Sequence, residues 1–135
     1  MGRLLGLDFG DRHVGVAISD PERRVATPRD TITYGAKVQL VEALEQLVFD
    51  EEIDELVIGL PLSLSGGDSE QTKRVRAFAQ EIGPYLDLPV QLEDERYTTR
   101  QAERGFTKQD DKSLPSGDAR AAQLILQSYL DRLSV

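Results

Sequence analysis

The chain has 135 residues, the size of one ordinary domain, and we expect a single domain over residues 1–135. It contains no cysteine and one histidine, which excludes disulfides, thiolate metal sites and multi-histidine zinc sites and favours the cytoplasm. The formal charge of −8 argues against a polyanionic partner unless basic residues are concentrated locally. No apolar run approaches the roughly 20 residues of a membrane span, so we expect no membrane partner.

The first part of the chain predicts three antiparallel strands. The first half-dozen residues and residues 14–19 are apolar runs, separated by Gly10-Asp11-Arg12-His13, which is short enough for a hairpin turn. Residues 25–33 predict a third strand, and its proline indicates either an edge strand or a bent strand.

The second part predicts helices that alternate with strands. A first helix is predicted from helical spacing of apolar residues, and its inward face comprises Val38, Val41, Leu44 and Val48. The run 56–60, stopped by Pro61, predicts a strand buried on both faces. A second helix is predicted from Asp68 to Gly83-Pro84, and a fifth strand lies in LPVQLEDER. A capping box at Thr98 and Gln101, a polar loop over 105–117 and a helix over 118–133 complete the chain. The inward residues predicted for this last helix are Ala122, Ile125, Leu126, Tyr129 and Leu133.

This order of elements is that of an α/β protein of the ribonuclease H type. It predicts a five-stranded mixed sheet, with an antiparallel meander of three strands, two parallel strands, and helices on both faces. The first half of that arrangement also occurs in one lobe of actin-like ATPases.

Asp8 is the first candidate functional residue. It ends the predicted first strand, and in an open α/β sheet ligands collect at the carboxyl ends of the strands. Gly10 and Gly15 remove side chains on either side of this acid, which would let a phosphate approach the backbone. The alternative is that Asp8 starts the hairpin turn, as aspartate often does.

Acidic residues also end the fifth strand and open the last helix. Strand alternation places Glu93 and Glu95 on one face and Asp94 on the other, unless all three belong to a solvated strand end. Asp118 opens the last helix, where the helix dipole alone favours an acid. Three acids that converge from separate segments are what a two-metal phosphodiesterase needs, and carboxylate ligands favour Mg²⁺ or Mn²⁺.

Basic residues recur at every fourth position after the fifth strand. The series is Arg96, Arg100, Arg104, Lys108 and Lys112. On a helix, Arg100, Arg104 and Lys108 would share one face and form a basic ridge for a phosphate backbone, unless that face is merely solvated. A second basic set in the predicted meander comprises Arg12, Arg23, Arg24 and Arg29.

Four segments resemble the YqgF family, Holliday-junction-resolvase-like proteins that are also described as nucleases maturing the precursor of small-subunit ribosomal RNA. They are LGLDFGDRHVGVAISD, VIGLPLSLSGGDSEQTKRVRAFA, EDERYTTRQAE and SGDARAAQLILQSYL, and they span nearly the whole chain. The resemblance implies a ribonuclease H fold and carries the catalytic acids over to Asp8, Glu95 and Asp118, accompanied by Arg12 and Arg96. Tyr97 departs from the leucine-like residue expected there.

The resemblance implies a metal-dependent endonuclease that cleaves phosphodiester bonds in structured nucleic acid. The substrate is either the 5′ end of precursor 16S rRNA or a Holliday junction, whose twofold symmetry would call for a homodimer. One alternative is a non-catalytic nucleic-acid-binding module of the same fold. Another is an actin-like phosphotransferase lobe, which the short chain and the lack of a P-loop pattern disfavour.

Overall fold

The computed structural model describes residues 2–65, 67–96 and 117–133. The predicted ridge residues Arg100, Arg104 and Lys108 lie outside these ranges, as do the Thr98–Gln101 capping box and most of the predicted loop. In chain order the elements are β1 (Arg3–Phe9), β2 (His13–Ser19), β3 (Ala26–Thr33), α1 (Lys37–Asp50), β4 (Ile53–Leu60), α2 (Glu70–Leu86), β5 (Val90–Asp94) and α3 (Gly117–Leu133).

The five strands form one mixed sheet in the order β3-β2-β1-β4-β5. β1 pairs antiparallel with β2 and parallel with β4, while β3 pairs antiparallel with β2 and β5 pairs parallel with β4. The predicted meander and the two parallel strands are therefore confirmed. β1 lies at the centre of the sheet, so its carboxyl end lies beside that of β4, and the carboxyl end of β5 lies on the far side of β4.

Side chains alternate between the two faces along each strand, so both faces of the sheet are apolar. Helices pack on both of them. Leu5 and Leu7 of β1 pack in a core with α1 and α2, whereas Leu4 packs in a second core with Leu126 of α3. Gly6, between the two leucines, faces α3, because a Cβ there would lie 2.7 Å from the Cβ of Leu126. Asp8 continues this alternation and faces the α3 layer.

The buried faces of the helices differ in part from the predicted ones. In α1, Leu40 and Leu44 are buried and Val38 is 61% exposed, so the predicted stripe was wrong at Val38. Leu44, Val41 and Val48 of the predicted stripe pack against the core as expected, and Leu40 replaces Val38 there. In α3 the predicted inward residues are confirmed except Leu133, which is 53% exposed at the last turn. None of the helices in the described ranges combines the length and apolarity needed to cross a bilayer.

The predicted limits of α2 were each displaced by a few residues. Ser69, not Asp68, caps the helix, and its hydroxyl accepts a hydrogen bond from the Thr72 backbone N–H at 3.2 Å. Gln71, in the first turn of the helix, donates to the backbone oxygen of Phe9 at 3.0 Å. α2 therefore begins beside the residue that follows Asp8.

Candidate active site

Asp8 and Glu95 form the centre of the candidate site. Asp8 lies on β1 opposite Gly15 of β2, and Glu95 follows the last residue of β5. Both side chains are half-buried, and their carboxyl groups are joined by a hydrogen bond. The structure thus brings together two of the three acids selected from the sequence.

The proximity of these acids changes their proton affinities. Burial raises the pKa of Asp8 above its ordinary value, and the charge of Asp118 adds to this increase, while the hydrogen bond from Glu95 opposes it. Burial, the charge of Asp8 and the hydrogen bond between the two side chains together raise the pKa of Glu95 to about 7. The pair therefore retains a proton near neutral pH, with Glu95 as donor and Asp8 as acceptor.

Asp118 reaches the site from the first turn of α3. Its side chain is exposed, and its charge acts on Asp8 across the gap between the helix and the sheet. The helix approaches closely because Gly15 has no side chain. A Cβ at Gly15 would overlap the backbone oxygen of Asp118. Gly15 thus positions the third acid beside the first.

A second glycine makes room for Glu95. Gly59 of β4 faces the same layer, and a Cβ there would meet the Ile125 side chain at 2.4 Å and the Cγ of Glu95 at 3.1 Å. The Glu95 side chain therefore lies over β4 on its way to Asp8 on β1. Strand alternation indicates the α3 face for Glu95, but no local signal indicates that a glycine on another strand makes room for its side chain.

Glu93 and Asp94, the two residues before Glu95, face opposite sides of the sheet, as strand alternation predicts. Glu93 faces α3 and is completely buried, where burial raises its pKa, while a hydrogen bond from Ser128 and the charge of Arg132 oppose the increase. Asp94 binds Arg96, whose Nε and Nη2 lie 2.9 and 2.6 Å from Asp94 Oδ2. These hydrogen bonds lower the pKa of Asp94.

The backbone around Asp8 is held from both sides. Phe9 stacks on Phe78 of α2 with ring centroids 4.5 Å apart. Beyond it, the Tyr34 hydroxyl donates to the backbone oxygen of Gly10 at 2.7 Å. Arg12 follows in the same turn, with an exposed side chain that forms no salt bridge with another described residue. Its charge is therefore available to a ligand at this edge of the sheet.

The remaining arginines of the meander do not join Arg12. Arg23 pairs with Asp54 at 2.7 Å, and Arg29 pairs with Glu51 at 3.3 Å. Both acids lie at or just before the start of β4, at the opposite end of the sheet from Asp8. The second basic set inferred from the sequence is therefore divided, and these two members neutralise acids far from the candidate site.

The donor set at the site suits a hard divalent cation. Asp8, Glu95 and Asp118 offer carboxylate oxygens, which Mg²⁺ and Mn²⁺ prefer. His13, the one histidine in the chain, has its Nδ1 3.1 Å from the Thr33 hydroxyl. Among the residues that the structure describes, no three acidic or histidine side chains are already arranged as a metal site. A cation would have to displace the proton that joins Asp8 to Glu95.

A family model described as RuvX, Holliday junction resolvase, matches residues 2–132. The chain belongs to the RuvX family. The resemblance to the YqgF family is thereby confirmed, since the two names denote one family.

Curated relatives of the RuvX chain match it over nearly its whole length. A protein of Dictyoglomus turgidum is 38% identical over 98% of this chain and 96% of its own length. A protein of Koribacter versatilis is 39% identical over 99% of this chain and 90% of its own. Each carries the provisional name of a nuclease of precursor 16S rRNA.

Solved structures share the fold with much less sequence identity. RuvC of Thermus thermophilus, in complex with a Holliday junction substrate, superposes with a TM-score of 0.67 at 12% identity. The match covers 100% of this chain and 98% of that one. The yeast mitochondrial Holliday junction resolvase Ydc2 gives 0.56 at 11% identity, covering 96% and 78%. The predicted ribonuclease H type of fold is confirmed by these neighbours.

Proposed function

We propose that this RuvX protein is a divalent-cation-dependent endonuclease that hydrolyses phosphodiester bonds in structured nucleic acid in the cytoplasm. The observation that carries the proposal is the hydrogen-bonded pair Asp8–Glu95 at the carboxyl edge of the sheet, with Asp118 beside it. Membership of a family described as resolvases, with relatives named as rRNA nucleases, supports the same reaction class.

Asp8, Glu95 and Asp118 would hold Mg²⁺ or Mn²⁺. When bound, the cation supplies an activated water and stabilises charge on the leaving oxygen. The contribution of the protein is to bring three carboxylates from β1, the end of β5 and the start of α3 to one place. Binding of the cation would require Glu95 to lose its proton, so that the three carboxylates would present three negative charges to the cation.

Positively charged side chains at the same edge would hold the substrate. Arg12 extends from the β1–β2 turn next to Asp8, and Arg96 follows Glu95. We propose that both bind phosphates, with Arg96 exchanging its Asp94 partner for the nucleic acid. The three further contacts that we propose are Arg100, Arg104 and Lys108. With few phosphates neutralised and a net charge of −8, we expect modest affinity and a shallow salt dependence.

The deciding experiment compares two substrates in one protein preparation. A four-way DNA junction and an RNA carrying the 5′ end of precursor 16S rRNA are each incubated with Mg²⁺, with Mn²⁺ or with a chelator. We expect cation-dependent cleavage of at least one substrate, lost in Asp8→Asn and kept in Asp11→Asn. Asp11 is the matched control because it lies in the adjacent turn and pairs with Arg74 at 3.2 Å.

The pattern of cleavage chooses among the remaining possibilities. Cleavage of the RNA alone assigns rRNA processing, and paired cuts in the junction assign resolution by a homodimer. Binding of either substrate without cation-dependent cleavage would leave the non-catalytic module and overturn the proposal. ATP hydrolysis without cleavage would favour the phosphotransferase alternative.

A further inference from the structure

Glu93 is a buried acid that the proposed chemistry does not use. Its side chain has no exposed surface. One oxygen, Oε1, accepts a hydrogen bond from Nη2 of Arg132, and the hydroxyl of Ser128 also bonds to the carboxyl group. The other oxygen, Oε2, is buried and has no hydrogen-bond partner within the described part of the chain.

A buried carboxyl group of this kind is not expected to increase the free energy of unfolding. A buried polar atom without a partner costs free energy, and replacing a buried ion pair with apolar side chains of similar size is often neutral or stabilising. Glu93 lies between β5 and α3, on the face of the sheet whose core includes Leu126 and Leu130 of that helix. If packing between the sheet and α3 were its one role, an apolar residue at position 93 would stabilise the fold as well as Glu93 does, or better.

The position of Glu93 relates it to two of the proposed cation ligands. It lies on β5 two residues before Glu95 and faces the same side of the sheet, and among the described strands β5 pairs with β4 alone. Its partners Ser128 and Arg132 lie in the last two turns of α3, the helix that begins with Asp118. The contact therefore joins the strand that leads to Glu95 to the helix that carries Asp118.

The geometry of this contact restricts movement more than an apolar contact would. Ser128 and Arg132 are four residues apart and so lie on one face of α3 in successive turns. Two donors from successive turns that converge on one carboxyl group fix both the rotation of the helix and its position along its axis. Apolar side chains would tolerate sliding, because dispersion and the hydrophobic effect are not directional.

We infer that Glu93 is a positioning residue, which through Arg132 and Ser128 sets Glu95 and Asp118 at the separation that the cation site requires. This inference rests on the proposed function of those acids. α3 is then fixed at both ends, by close packing on Gly15 at its first turn and by Glu93 at its last. Glu93 itself contacts neither cation nor substrate.

The test uses Glu93→Leu and Glu93→Gln in the full chain. We expect Glu93→Leu to melt at or above the wild-type temperature without Mg²⁺. Its cleavage rate should nevertheless fall about 10- to 100-fold, and the Mg²⁺ concentration that gives half of the thermal stabilisation should rise by a similar factor. Glu93→Gln keeps an oxygen that can accept from Arg132 and Ser128, so it should retain most of the wild-type cation affinity and rate.

Gln127→Ala is the matched control. Gln127 also fastens α3 to the sheet, accepting from the Ala26 N–H at 2.9 Å and donating to the Arg24 oxygen at 2.9 Å, but at the end of the sheet away from Asp8. This variant should lose thermal stability while keeping the wild-type Mg²⁺ midpoint. A purely structural role of Glu93 predicts the same behaviour for Glu93→Leu as for Gln127→Ala.

Two results would overturn the inference. One is Glu93→Leu with the wild-type rate and Mg²⁺ midpoint, and the other is a loss of activity in Glu93→Leu that merely follows its loss of folded protein. Either result leaves the proposed function intact if wild type shows Mg²⁺-dependent cleavage that Asp8→Asn abolishes. Absence of that cleavage in wild type would overturn both.

Discussion

The carboxyl groups of Asp8 and Glu95 share a hydrogen bond at the carboxyl edge of the sheet. Two acids in contact cannot both be charged at low cost, so the pair shares one proton below about pH 7 and loses it above that pH. Under the proposed function the same pair would bind a cation, which would take the place of the proton and neutralise both charges. Proton and cation are therefore expected to compete for this site.

The first prediction concerns the pH dependence of stability without metal. The pKa of Glu95 is raised from 4.5 to about 7, so the folded state binds this proton more tightly than the unfolded chain. The resulting stabilisation is fully present below the unfolded pKa and is lost as the pH rises through the folded pKa. We expect the denaturant midpoint to fall between about pH 5 and about pH 8 in a chelator-containing buffer.

Glu95→Gln should flatten this pH profile, because its amide can donate to Asp8 at any pH. At high pH the variant should be more stable than wild type. Glu42→Gln is the control, since Glu42 lies exposed on α1, away from the acid pair. A wild-type pH slope in Glu95→Gln would show that the proton belongs elsewhere.

The second prediction tests by thermal denaturation, with and without Mg²⁺, whether Asp8 is a cation ligand or a residue that only starts the hairpin turn. Asp8→Asn removes a charge from a crowded acid cluster, so the metal-free protein should be as stable as wild type or more stable. The stabilisation by Mg²⁺, which follows from preferential binding to the folded state, should shrink or vanish. Asp11→Asn should keep it, because Asp11 belongs to an exposed pair with Arg74. An Asp8→Asn protein with full Mg²⁺ stabilisation would contradict a role as ligand.

The sequence predicted the sheet well because its signals are local. Apolar runs, the edge proline and the turn around Gly10 specify the meander, and helix-flanked runs specify parallel strands. The contact between Asp8 and Glu95 is not local, since 86 residues separate them in the chain. Their convergence could be expected from strand ends meeting at one edge, but their shared proton depends on burial and approach, which only the folded structure reveals.

The predictions that were wrong also failed because they depend on contacts between segments distant in the chain. Val38 has the right spacing for the inward face of α1, yet it is exposed, and Leu40 is the additional residue that meets the core. The arginines of the meander were grouped because they are close in sequence. An antiparallel hairpin carries Arg12 to one end of the sheet and Arg23 to the other, where Asp54 neutralises it. Partners contributed by distant segments cannot be inferred from charge counts along the chain.

The third prediction uses that separation of arginines. Arg12→Ala should weaken nucleic-acid binding about equally for different sequences and reduce the slope of log affinity against log salt by about one. Arg29→Ala should leave the slope unchanged, because Arg29 is paired with Glu51 at the far end of the sheet. Fluorescence anisotropy at several salt concentrations measures both. Equal effects of the two substitutions would indicate general electrostatic attraction instead of a contact near Asp8.

The fourth prediction concerns the close approach of α3 to β2. In Gly15→Ala the new methyl group would overlap the backbone oxygen of Asp118, and a helix backbone cannot yield as a flexible side chain can. The first turn of α3 must move or unwind, so we expect a loss of about 1–3 kcal/mol in the free energy of unfolding, the usual cost of overpacking. Because that turn carries Asp118, the Mg²⁺ midpoint should rise even in the fraction that remains folded.

Gly117→Ala is the control for this prediction, since it adds a methyl group directly to the turn that carries Asp118. A Cβ at Gly117 meets nothing within 4 Å among the described residues, and alanine favours a helix more than glycine does. This variant should therefore be as stable as wild type or slightly more stable, with an unchanged Mg²⁺ midpoint. If Gly15→Ala instead matches Gly117→Ala in both measurements, α3 can shift without disturbing the site, and the contact at Gly15 does not determine where Asp118 lies.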